Sequence, residues 1–187
     1  MISFNEWLQN INWKKVGYIV LKSLIFTAFF AILHYLYYLN PNPFFQAISG
    51  RDESVFQHLK MGFFGYLFLI GIDFLIKRKK IENKRSFAFS RLLTSLLIPW
   101  IIFIIWYLAP AIIGLPLSFG WELAWAMIVV FITGILASII DENTEKLKFN
   151  LSVKIIIIGL ALISIFIFIL FSFGDGPWVD VFTLHEH

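Results

Sequence analysis

The segment RDESVFQHLK, residues 51–60, gathers two acids, a serine, a histidine and two cations directly before the apolar run MGFFGYLFLIGI. Residues of these types support three chemistries. Neutral imidazole and carboxylate are ligands for a divalent metal such as zinc, so His58, a second histidine at His34 and a carboxylate from Glu53 or Asp180 form one candidate set. Ser54 and His58 are four residues apart, which puts a nucleophile and a base on one stripe of a helix with Glu53 close by. Glu53, His58 and Lys60 together also suit the polar head of a small amphipathic ligand. There is no HExxH-type spacing, and no cysteine, so thiolate metal sites, disulfides and cysteine nucleophiles are excluded.

The same stretch reads equally as a helix start. Asp52 or Ser54 suits an N-cap, Ser54-x-x-Gln57 has the form of a capping box, and Glu53 favours the positive end of a helix dipole. That reading accounts for the acids and the serine. It leaves His58 and His34 unexplained.

The elements that must position these groups are membrane helices. The chain has 187 residues, 59% of them hydrophobic and only 14% charged, more apolar surface than a soluble domain of this length can bury. Five apolar stretches, about 16–39, 54–76, 90–109, 121–140 and 152–173, are each near the roughly 20 residues that cross a ~30 Å hydrocarbon layer. Backbone polar groups in lipid must be satisfied within their own segment, so the expected fold is an all-α, polytopic bundle forming a single membrane domain. Residues 1–15 are expected as an interfacial amphipathic helix, since Phe4, Trp7, Leu8 and Ile11 follow helical spacing behind the capping pattern SFNE. Residues 174–187 form a tail.

Charge sets the expected orientation. Thirteen of the fifteen Lys and Arg residues lie at one end of the spans: Lys14, Lys15 and Lys22, the run KRKKIENKR (77–85) with Arg91, and Lys146, Lys148 and Lys154. Only Arg51 and Lys60 lie opposite. By the positive-inside rule the N-terminus is cytoplasmic and the C-terminus outside, in a cell membrane. The basic run could bind anionic lipid heads or RNA, but it is dense in charge and lacks interleaved aromatics for base stacking, so it is read as a topology signal; the bilayer is the expected partner and no nucleic acid is expected. Trp106, Tyr107, Trp121 and Trp178 fall near outer ends of spans, as an aromatic belt would, and Pro99 is expected to kink the third span.

This topology brings His34 and His58 to similar depth on neighbouring antiparallel helices joined by a short hairpin. Glu122, opening the fourth span, and Asp180, in the tail, fall on the same side and are expected to close the site. Asp73 lies deep in the second span. A carboxylate there is costly, and Lys77, one turn away, together with snorkelling toward the inner interface, is the expected explanation.

Residues 31–76 resemble an uncharacterised family of small multi-pass prokaryotic membrane proteins. The resemblance rests on LHYLYY (33–38), a proline-containing loop and DESVFQHLKMGFF (52–64). Members carry Asn-Glu-Ser-x-Trp-Glu-His-x-Lys at this point. Here Asp52 replaces the asparagine, Phe56 the tryptophan and Gln57 the second acid, while Glu53, Ser54, His58 and Lys60 match. The resemblance implies that His34, Glu53, Ser54, His58 and Lys60 belong to one site, and it imports no reaction. The expected function is binding of a metal ion or small amphipathic ligand at an outward-facing polar site. The alternatives are a hydrolase acting on a lipid-like substrate, a small transporter and a structural membrane subunit.

Overall fold

The computed structural model describes residues 12–114, 118–174, 176–177 and 179–182, and within them the only regular structure is helical. Six α-helices follow in chain order: α1 (Trp13–Leu39), the short α2 (Pro43–Ile48), α3 (Val55–Lys77), α4 (Lys84–Ile113), α5 (Phe119–Thr144) and α6 (Leu151–Phe173). A final 3-10 turn spans Asp180–Phe182. Five of these helices are long and apolar enough to cross a membrane. Of the interfacial helix expected over residues 1–15, residues 1–11 lie outside the described residues, and 13–15 belong to α1. The hairpin between the first two spans, expected as a loop, contains α2, begun by Pro43 with its preset backbone angle.

Asparagine starts four of the helices. The side chains of Asn12, Asn42, Asn83 and Asn150 each accept a bond from a first-turn backbone N–H of the helix that follows. At the other end of α4, Gly114 adopts φ +71° and donates its N–H to the Pro110 carbonyl, a left-handed stop that glycine makes without steric cost. α4 continues as one helix through Pro99 and Pro110.

α1 packs chiefly on α5 and α3, and α4 packs on α3 and α5, with α6 against α4 and α2. The core between them is aromatic and aliphatic: Phe26 and Phe30 from α1, Met61, Phe63 and Tyr66 from α3, Ile98 and Ile102 from α4, and Val129 and Val130 from α5. Large apolar side chains also point outward on every span, where lipid rather than water covers them.

The α1–α5 seam is unusually close. A Cβ built on Gly134 would lie 2.6 Å from Ser23 Oγ and 2.9 Å from Ser23 Cα, and the Ser23 hydroxyl donates to the Phe131 carbonyl at 2.6 Å. Small residues at membrane helix interfaces allow such backbone approach, and dispersion replaces the absent hydrophobic drive. Gly134→Ala should therefore push α1 from α5 and lower stability by about 1–3 kcal/mol in detergent unfolding. Gly159→Ala, with no atom within 4 Å of the added carbon, should cost nothing.

Candidate functional site

Two polar clusters occupy opposite ends of the bundle. The first is the one read from sequence. His34 stands near the end of α1 and His58 in the first turn of α3, their ring centroids 5.5 Å apart. Glu53, two residues before α3 begins, reaches both: its Oε1 is 3.5 Å from His34 Nε2 and its Oε2 is 3.7 Å from His58 Nε2. One ligand atom from each of the three lies within 4.8 Å of the other two.

The His58 ring is held from several sides. It lies nearly parallel to Trp106 (6.3 Å, 14°) and stacks on Phe30 (6.1 Å, 28°). Its Nδ1 is 2.8 Å from the Ser54 backbone carbonyl. A carbonyl only accepts, so Nδ1 carries the proton in this bond and Nε2 turns a lone pair toward Glu53. The arrangement orients His58 as a ligand. The lone pair that could serve as a base is on Nε2, which faces Glu53 rather than the Ser54 hydroxyl, so the arrangement is not that of a nucleophile–base pair.

The start of α3 differs from the capping box expected. Ser54 is the N-cap residue, but its side chain makes no capping bond to the helix, and the buried Gln57 Oε1 has no partner among the described residues. Asp52 Oδ1 instead accepts the Ser54 N–H at 3.1 Å and closes a tight turn ahead of the helix. Burial alone would push the Asp52 carboxyl up, but bonds from Ser54 and the Arg51 guanidinium outweigh it and hold it below its ordinary value. Its contribution to stability is thus present above the ordinary carboxyl range and is lost as pH falls through the lowered value. Glu53 precedes the helix and does not share a helical stripe with Gln57 and Lys60, because the turn at Asp52 swings it toward the histidines.

The remaining expected site residues are dispersed. Lys60 is fully buried and donates to the Gln46 carbonyl at 2.9 Å and to Ser172 Oγ at 2.8 Å. Gln46 Nε2 and Arg51 Nη1 reach the Ser172 carbonyl at 2.7 and 3.4 Å, and Arg51 also approaches the Gly174 carbonyl. Arg51 and Lys60, the only Lys and Arg at this end among the described residues, therefore hold the C-terminal end of α6, Arg51 at its terminal carbonyls and Lys60 at the Ser172 hydroxyl, where the negative end of the dipole favours cations. Glu122, in the first turn of α5, lies outside the His34–Glu53–His58 trio. Asp180 begins the 3-10 turn, and its side chain lies outside the described parts of the structure, as do His185 and His187.

The second cluster was not anticipated as a site. Asp73 does not pair with Lys77 at the interface. It is 1% exposed and takes Lys22 Nζ at 3.1 Å, Arg91 Nε at 3.0 Å and the Tyr18 hydroxyl. Lys77 instead lies over the Tyr18 ring, 4.3 Å from its centroid. Lys22 also pairs with Asp141, which accepts the Tyr66 hydroxyl at 2.5 Å and is 3.6 Å from Arg91 Nε. Arg91 Nη1 reaches Glu145 at 2.6 Å. Lys22 and Arg91, counted in sequence among the interfacial charges, are 3% and 0% exposed. The physical reason for the correction is helix rotation: on an almost wholly apolar helix, a lone cation reads as a flanking charge until a facing acid is known.

No family model matches the chain, and neither curated proteins nor solved structures show a significant match to it.

Removing one member of a buried ionic group strands its partners, at a cost of about 3–5 kcal/mol. Lys22→Met should therefore lower stability by about that amount in detergent unfolding. Adding Asp141→Leu to it should restore part of the loss, giving a coupling energy well outside additivity.

Proposed function

We propose that this integral membrane protein binds a divalent transition metal of the zinc type through His34, Glu53 and His58 and presents it to an amphipathic ligand at the membrane interface. The observation that carries this reading is the convergence of three ligand atoms from α1, α3 and the turn before α3. At zinc–ligand bonds of about 2.0–2.1 Å, tetrahedral ligands lie about 3.3 Å apart, so a trio whose ligand atoms lie within 4.8 Å of one another would have to close by up to about 1.5 Å on an ion. The Ser54 carbonyl supplies the outer support that metal-binding histidines use to fix their tautomer. The resemblance of residues 31–76 to a family carrying the same glutamate and histidine supports grouping these side chains.

The amphipathic ligand is supported by a neighbouring apolar groove. The Trp125 indole N–H donates to the carbonyl of Trp106, the residue that stacks on His58. Trp125 also lines a cavity of about 290 Å³ with Ala109, Ile112, Ile113, Trp121, Ala124 and Ile128. Three protein ligands leave a fourth tetrahedral position for water, and this favours hydrolysis of a lipid-like substrate as the second reading.

Titration of purified, metal-stripped protein with Co²⁺ or Zn²⁺ should show one site. His34→Ala, His58→Ala and Glu53→Gln should each weaken it by about 10–100-fold or more, whereas Lys60→Met should leave it intact because Lys60 faces α6. Affinity should fall as pH is lowered, since imidazole must be neutral to bind metal. Equal metal binding by the wild type and the double histidine variant would remove the proposal.

For orientation, we place the basic end in the cytoplasm, on the thirteen-to-two division of Lys and Arg. Glu82→Cys, exposed between α3 and α4, should react with an impermeant maleimide only once the cytoplasmic side is opened. Labelling in intact cells would reverse the assignment.

A further inference from the structure

We infer that the corner of the basic end between α4 and α6 docks the head of an anionic phospholipid, held by Lys84, Arg85, Lys146, Lys148 and Lys154. This goes beyond the metal reading and depends neither on it nor on which side of the membrane the basic end occupies.

One hydrogen bond assembles the corner. The Ser86 hydroxyl donates to the Leu147 carbonyl at 3.1 Å, joining the first turn of α4 to the segment between α5 and α6. Lys84 and Arg85 directly precede Ser86, and Lys146 and Lys148 flank Leu147. Consecutive Cα atoms are about 3.8 Å apart, so these four cations all start close to a single contact. Lys154, in the first turn of α6, joins them from a third element. Its Nζ lies 5.6 Å from the Phe89 ring centroid, and Phe89 packs on Phe149 at 6.1 Å.

No carboxylate neutralises these five side chains among the described residues. Four of them are exposed and Lys154 is half-buried. The acids of the same stretch are engaged elsewhere, Glu142 with Lys15 at 2.7 Å and Glu145 with Arg91 at 2.6 Å. Lys77, at the end of α3, lies over the Tyr18 ring. Arg78, Lys79 and Lys80 are exposed too, but they follow α3, and no described contact ties them to Leu147 or Phe89.

Helix polarity adds to the excess. α4 and α6 pack on each other and both begin at this end, so the positive ends of two dipoles lie side by side. Neither helix has an acid in its first turn. Lys84, Arg85 and Lys154 instead put cations there, where a dipole disfavours them. A bound phosphate relieves both repulsions. Asn83 and Asn150 already accept first-turn N–H groups, so the cations and not open amides are the recognising groups.

The position of the corner selects a lipid over a soluble anion. α4 and α6 are both long, apolar spans, and α6 exposes Ile155, Ile156 and Ile158 directly after Lys154. A head held by the cations has its acyl chains beside these isoleucines. Basic pockets between spans recognise phospholipid heads in this way, since charge and tail are covalently joined in one ligand.

Thermal unfolding of the full chain in detergent, with dioleoyl phosphatidylglycerol, dioleoyl phosphatidylcholine or inorganic phosphate added, tests this. The wild type should be stabilised saturably by phosphatidylglycerol alone. The triple variant Lys84→Gln, Arg85→Gln, Lys148→Gln changes only exposed residues. Without lipid it should unfold no earlier than the wild type, because two cations leave a positive dipole end. It should then need about tenfold or more phosphatidylglycerol for the same stabilisation. The triple variant Arg78→Gln, Lys79→Gln, Lys80→Gln removes the same charge from the neighbouring turn and should respond like the wild type. Equal stabilisation by phosphatidylcholine or by phosphate would overturn the proposal. So would an equal loss in the two variants, which marks diffuse attraction, or no loss in the first. Metal-stripped protein should respond identically, which separates this result from any outcome at the histidines.

Discussion

Burying charge in a membrane is expensive, and in this bundle that cost organises the rest. Lys22 and Arg91 are tolerable inside the bundle only because Asp73 and Asp141 meet them from other helices. Four helices, α1, α3, α4 and α5, thus share one ionic group. Sliding or rotating any of them strands a charge, a penalty far larger than that of sliding one apolar face over another. The core of Phe, Ile and Val tolerates many registers; the ions tolerate few.

That register carries to the other end of the molecule. Lys22 and His34 are twelve residues apart on α1, about 18 Å of rise, and Asp73 and His58 are fifteen apart on α3, about 22 Å. The two helices run antiparallel, so pairing Lys22 with Asp73 brings the histidines to within about one turn of the same level. The short α2 and the turn at Asp52 then bring Glu53 across to close the trio. Arg51 holds the end of α6 against the same corner through the Ser172 and Gly174 carbonyls, and Lys60 does so through the Ser172 hydroxyl. The histidine site is therefore supported by a distant ionic group through stiff helices as well as by its immediate neighbours.

The two ends differ in character. At the histidine end the groups are partly open: Glu53 is 59% exposed, and an aromatic pair, Trp106 and Trp125, leads toward an apolar groove. That suits an exchangeable ligand with one polar and one apolar part. At the basic end most of the polar atoms are buried and the free space beside Tyr18, Lys22 and Asp73 is only about 10 Å³, near the size of one water. An open site and a more enclosed one, about three to four helical turns apart, divide the polar chemistry of the chain.

Much of this was legible in the residues alone, and the boundary of legibility is physical. Hydrophobic length and the placement of Lys and Arg report position along a helix, so the five spans, their antiparallel order and the shared depth of His34 and His58 followed from counting at 1.5 Å per residue. Rotation about the helix axis was not encoded in the same way. Spans apolar on nearly every face carry little amphipathic signal, so nothing local said that Lys22 and Arg91 point inward, or that Asp73 prefers them to Lys77. Lys60, two residues from His58, was grouped with it by proximity in sequence, yet two residues on a helix are about 200° apart and Lys60 faces α6. Depth is a property of one segment and its solvent, and the sequence determined it. Partnership between charges is a property of several helices at once, and only the packed bundle decided it.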